Sequence, residues 1–165
     1  MLNKIQANNF LLEKSQDAKE IFFLLLSHHG PFQMVAEYLY QALVFRVSND
    51  KKSSKILLDL ALSKMAQIKK LEKLLVDLGC GREIACTLPT NVCEFKNANK
   101  NEILAKIMIE DLAREIVSVM EYEKVIKRLK MEMAKNFIGN IIEEELECVK
   151  ALEERTERLM KKRVF

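Results

Sequence analysis

Apolar positions recur at three- and four-residue steps along most of this chain, which is the period of a helix with one buried face. The segment AKEIFFLLLSHH, with Asp17 as its expected N-cap, predicts a short leading helix over about 17–29 that lies on a larger body. Gly30-Pro31 interrupts it. Pro31 suits the first position of a second helix over about 31–47, whose apolar stripe is Met34, Val35, Tyr38, Ala42 and Phe45. The polar turn SNDKKSS leads into a third helix over about 52–78, with Ile56, Leu57, Leu60, Met65, Ile68, Leu71, Leu74 and Leu75 facing inward and Gly79 and Gly81 ending it. Between about 80 and 100 the periodicity disappears, and Thr87, Pro89, Thr90, Asn97 and Asn99 mark irregular chain. A fourth helix over about 102–130 runs through Leu104, Ile107, Met108, Leu112, Ile116, Val119 and Val125. A fifth over about 133–160 runs through Ile138, Ile141, Ile142, Leu146, Val149 and Leu152. So long an irregular segment inside a compact domain is explained if it carries the chain from one end of a four-helix bundle to the other. The expected architecture is a single all-α domain, 1–165.

Composition agrees with this pattern. The 165 residues are 49% hydrophobic and 31% charged, and glycine and proline are few, which excludes a disordered or collagen-like chain. Charge is nearly balanced, 27 basic against 24 acidic side chains, so nothing argues for a nucleic-acid partner. Arg155, Arg158, Lys161, Lys162 and Arg163 alternate with Glu153, Glu154 and Glu157, and cations suit the last turns of a helix. The longest apolar run, Ile21 to Leu26, is too short to span a bilayer, and no secretory leader pattern opens the chain. A cytoplasmic protein with no membrane partner is the expectation. Cys80, Cys86, Cys93 and Cys148 are unevenly spaced and form no Cys-x-x-Cys pair, so they are read as reduced thiols.

A faint internal repeat gives the clue to chemistry. Glu37-Tyr38 in the second helix matches Glu121-Tyr122 in the fourth, and each helix is followed by a partner with an i, i+3 polar pair: Lys64 with Gln67, then Glu145 with Cys148. DLAREIVSVMEYEKVI, from Asp111, resembles the Glu-x-x-Ala-Ile-x-x-Tyr helix of the ferritin-like superfamily, in its rubrerythrin and manganese-catalase branch. IIEEELECVKALEE, from Ile141, is similar to that family's Asp-Glu-x-x-His helix, and YLYQALVF, from Tyr38, to its tyrosine-containing segment. The resemblance covers about residues 17 to 160 and implies a ferritin-like four-helix bundle with a long crossover between the third and fourth helices.

The family's di-metal centre, by the same resemblance, takes four carboxylates and two imidazoles to neutralise and ligate two divalent cations. At the matching positions this chain has Pro31, Lys64, Gln67, Glu115, Glu145 and Cys148. Only Glu115 and Glu145 are the expected residue type, and the Lys64 ammonium has no lone pair to donate and repels a cation. The same ammonium, set between Glu115 and Glu145, would stand where the cations stood and satisfy two buried carboxylates. Tyr38 and Tyr122 are expected as core residues with hydrogen-bonded hydroxyls. His28 and His29, the two histidines, diverge at a loop with no Asp, Glu or Cys near in sequence. No phosphate-binding loop, nucleophile elbow or zinc-protease helix occurs.

Three functions follow as expectations. The first is a bundle that has lost di-metal redox chemistry, has no catalytic or metal-binding residues and needs no cofactor. It would serve as a structural or interaction protein that self-associates, as a dimer, through Phe22, Phe23 and Leu24. The second is a metal-binding or redox protein with a reduced site, in which Glu115, Glu145 and Cys148 hold one iron, manganese or zinc ion. The third, a basic helical adaptor for nucleic acid or membrane, rests on the Lys/Arg-rich tail alone.

Overall fold

The computed structural model of the chain describes residues 15–80 and 100–161. It consists of five helices, α1 (Gln16–Leu25), α2 (Pro31–Val47), α3 (Lys51–Asp77), α4 (Lys100–Arg128) and α5 (Glu132–Lys161), with no strand among the described residues. The expected crossover, with Cys86 and Cys93, lies outside those residues. No helix in the described part is long and apolar enough to cross a membrane.

Local sequence accounts for where each helix begins and ends. α1 stops at Leu25, four residues short of the expected limit, because Pro31 forces the residue before it out of helical conformation and Gly30 is extended at φ −77° and ψ 161°. The chain is so tight there that a Cβ on Gly30 would fall 2.5 Å from the Leu24 carbonyl oxygen. Asn49, at φ 64°, takes the left-handed turn between α2 and α3, a conformation asparagine tolerates well. Asp50 then caps α3 by accepting from the Ser53 N–H at 3.1 Å, and Gly79, at φ 83°, ends it. Asp17 does not cap α1 as expected. Ser15 does so, through the Ala18 N–H, while the buried Asp17 carboxylate accepts from the N–H groups of Lys130 and Met131 at 2.9 and 2.7 Å. The leading helix is thereby fastened to the α4–α5 turn, whose backbone donors have no helical partner.

Side-chain pairs fix the directions of the helices. Arg155, late in α5, reaches Asp50 and Ser53 at the start of α3, and Lys70, late in α3, reaches Glu144 early in α5, so the two helices are antiparallel. α5 also runs back along α4, with Thr156 donating to the Met108 carbonyl oxygen. α3 and α4 therefore point the same way. α2 lies antiparallel to α4, through Glu37 with Arg114 and Gln41 with Asp111. The result is two helical hairpins packed into a bundle.

The core is divided along its length. Ala18, Ile21 and Leu25 of α1 pack with Leu71, Leu74 and Leu75 of α3, Tyr122 and Val125 of α4, and Ile138 and Ile141 of α5 at one end. Met34, Tyr38 and Phe45 of α2 pack with Leu57 and Leu60 of α3, Ile107 and Met108 of α4, and Leu152 of α5 at the other. Between these clusters, three residues expected to face inward are turned out: Met65 is 44% exposed, Ile116 45% and Leu146 51%. Their neighbours Lys64, Glu115 and Glu145 occupy the inward positions instead, each at 0% exposure. The proposed association surface is also corrected. Phe22 and Leu24 are buried against the bundle, and only Phe23 of that trio is exposed.

Candidate functional site

Lys64 on α3, Glu115 on α4 and Glu145 on α5 meet at the axis of the bundle because each lies at an inward position at the same height. Lys64 Nζ donates to Glu115 Oε2 at 2.7 Å and to Glu145 Oε1 and Oε2 at 2.6 and 2.5 Å. An ammonium has three N–H donors, and all three are used. The remaining carboxylate oxygen, Glu115 Oε1, accepts from the Tyr38 hydroxyl of α2 at 2.5 Å. Every oxygen of the two carboxylates thus has a donor, and each of the four bundle helices contributes one side chain.

The electrostatics follow from this enclosure. Burial pulls the Lys64 pKa down, but Glu115 and Glu145 more than offset that and hold it above the ordinary lysine value. Burial also dominates at Glu115, pushing its carboxyl up to about 8 although the ammonium opposes the change. The Tyr38 and Tyr122 hydroxyls are both driven well above the usual phenol range, by burial first and by the nearby carboxylates second.

The other positions singled out from sequence are buried but join the cluster less closely. Cys148 donates to Ser63 Oγ at 3.8 Å, and burial pushes its thiol up to about 12, so it stays protonated. Gln67 is fully buried and neither atom of its carboxamide has a protein partner. The Tyr122 hydroxyl, expected to be hydrogen-bonded, likewise has none. Pro31 is buried at the first position of α2, where its fixed φ starts the helix. Glu37 is half-buried at the side of α2, bonded to Gln33 and Arg114. The His28 and His29 rings lie 4.9 Å apart, and among the described residues no three His, Cys, Asp or Glu side chains are placed to hold a metal.

These residues do not fit a di-metal centre. The oxygens that would ligate cations are the ones bonded to an ammonium, two of the six positions carry Pro31 and Lys64, and Cys148 is a neutral thiol. Sequence reasoning passed over Asp111 and Gln41, one turn from Glu115 toward the apolar cluster that contains Tyr38; both are buried and bonded to each other. A polar pair at core spacing, four residues before Glu115 and three after Tyr38, was the available signal. In comparison with known proteins, the chain matches no family model, no curated protein and no solved structure.

Proposed function

We propose that this chain is a ferritin-like bundle in which the Lys64 ammonium has taken over the charge-balancing role of the metal ions, and that it acts as a structural or interaction protein, not as a redox enzyme. The observation that carries the reading is the fully buried Lys64 ammonium bonded to both Glu115 and Glu145. The parallel course of α3 and α4 supports the topology, since it requires the chain to return the length of the bundle between them. The four-helix convergence of Tyr38, Lys64, Glu115 and Glu145 supports the assignment of the site. Self-association is part of the proposal. Its surface is the outer side of the α2–α3 hairpin, where Leu39, Leu43, Leu58, Leu62 and Met65 are exposed.

Elemental analysis of protein purified without chelator tests the central claim. No stoichiometric iron, manganese or zinc is expected. A stoichiometric metal that is lost in Glu145→Ala and in Cys148→Ala would overturn it in favour of a reduced metal site. Light scattering on a sizing column tests the association, and a strict monomer at tens of micromolar would remove that part.

A further inference from the structure

One turn along α4 from Glu115, Asp111 is enclosed in the core with no exposed surface, and Gln41 of α2 is buried against it. Gln41 Nε2 donates to Asp111 Oδ1 at 2.9 Å. The other oxygen of each group, Asp111 Oδ2 and Gln41 Oε1, is buried and has no protein hydrogen-bond partner. Two bare acceptors on two groups already joined by one bond are an unusual loss, since buried polar atoms are nearly always paired. A single hydrogen shared by the two oxygens would repair both. A carboxylic acid and a carboxamide form a closed pair in which the amide N–H donates to one acid oxygen and the acid O–H donates to the amide oxygen.

We propose that Asp111 is held as a neutral acid that donates to Gln41 Oε1, and that loss of this proton opens a pH-sensitive latch between α2 and α4. The charged and titratable groups around it are consistent with both states. From α2, Glu37 and Tyr38 face Asp111, and from its own helix so do Glu110 and Arg114. The neighbouring core cluster supplies apolar Leu57 and Leu60 from α3 and Leu152 from α5. Arg114 is the only cation among these groups. It is bonded to Glu37 and stands 3.5 Å from Asp111 Oδ1, too far for a hydrogen bond. When Asp111 ionises, the acid–amide pair loses its second bond and the carboxylate competes with Glu37 for Arg114. Burial is the main influence on Asp111 and raises its carboxyl to about 7, so the exchange falls in the physiological range.

The sign of the effect on stability is fixed. A carboxyl whose folded pKa lies above its unfolded value favours the folded state less as pH rises between the two, here from about 4 to about 7. Through that window Asp111 alone reduces the folding equilibrium constant by about tenfold per pH unit. Asp111→Asn reproduces the closed pair without a proton, because its amide N–H can donate to Gln41 Oε1. The variant is expected to fold, to equal or exceed the wild type at pH 7.5, and to lose one proton's worth of pH dependence; the part that persists belongs to Glu115.

The deciding measurement is site-resolved. Carboxyl carbon NMR of the full chain, assigned by the Asp111→Asn variant, is expected to show the Asp111 resonance titrating near neutrality. In that range the Arg114 side-chain resonances should shift, and in Gln41→Leu the Asp111 midpoint should move. An Asp111 carboxyl titrating in the ordinary aspartate range would overturn the proposal, and so would an Asp111→Asn protein with the wild-type pH dependence of stability. If Asp111→Asn fails to fold, the wild-type titration, with Asp111 assigned by through-bond correlation, still decides the question.

Discussion

Replacing Lys64 by methionine keeps most of the side chain's volume and removes only its charge and three N–H donors. Two carboxylates with no exposed surface then face each other with one donor, Tyr38, left between them. Breaking a buried ion pair from one side costs about 3–5 kcal/mol, because the surviving charges stay desolvated and unpaired. For a chain of this size that is a fall in melting temperature of roughly 6–20 °C. The loss should itself depend on pH. Without the ammonium, which lowers the Glu115 pKa, the Glu115 carboxyl prefers to be protonated, so Lys64→Met should recover much of its stability between pH 8 and pH 5. In the wild type the contribution of Lys64 runs in the other direction. Its folded pKa lies above the ordinary 10.5, so the ion pair is fully present below that value and is lost only as pH rises through the folded one. Urea unfolding followed by helical circular dichroism at both pH values measures these effects. Adding Glu115→Gln and Glu145→Gln to Lys64→Met should return the protein to wild-type stability or beyond, since an apolar or neutral core often matches a buried ion cluster. A Lys64→Met protein within about 1 kcal/mol of wild type at pH 8, with unaltered pH dependence, would refute the assignment of the ammonium to the core.

Other outcomes follow from the same geometry. Tyr38→Phe removes a donor to a charged acceptor and should cost about 1.5–3 kcal/mol by urea unfolding, whereas Tyr122→Phe, whose hydroxyl has no protein partner, should be neutral or stabilising. Asp17→Ala unfastens α1 from the Lys130 and Met131 N–H groups and should cost about 1.5–3 kcal/mol, together with faster proteolysis at the α4–α5 turn. Cys148, a protonated thiol pushed up to about 12 by burial, should resist alkylation at pH 8 in the folded protein and react at an ordinary thiol rate in urea, as mass spectrometry of the modified peptide would show.

The helices were legible in sequence because the period of the apolar residues is strong and because Pro31, the polar turn SNDKKSS and Gly79 mark ends through local backbone chemistry. The places where the reading failed share one cause. In α3, α4 and α5 a charged residue precedes an apolar one, as Lys64-Met65, Glu115-Ile116 and Glu145-Leu146, and hydropathy alone puts the second of each pair inside. The structure buries the first. Each charge is tolerable in the core only because the other two are there, and a pattern read along one helix contains no information about its partners. The inward facing of Lys64 was available only from the resemblance to the ferritin-like helices, carried over position by position. Asp17 was misassigned for a related reason: a carboxylate near a helix start looks like a cap, and its true donors are more than a hundred residues away. The Asp111–Gln41 pair was missed because each residue alone reads as a surface position.

The division of the core into two apolar clusters by a charged layer bears on how uniquely the bundle can assemble. Leucines and isoleucines at core spacing interlock almost equally well after one helix slides by a turn past its neighbours, so packing alone separates neighbouring alignments by little. A slide of α3 by one turn would move the Lys64 ammonium about 5.4 Å along the axis, away from the Glu115 and Glu145 oxygens. It would strand the ammonium and both buried carboxyl groups at once. The layer therefore acts as a key that admits one axial alignment of the helices, whatever it adds to total stability. A triple variant with Met, Gln and Gln at positions 64, 115 and 145 is expected to remain helical and stable but to sample shifted alignments, visible as doubled or broadened amide resonances along α3.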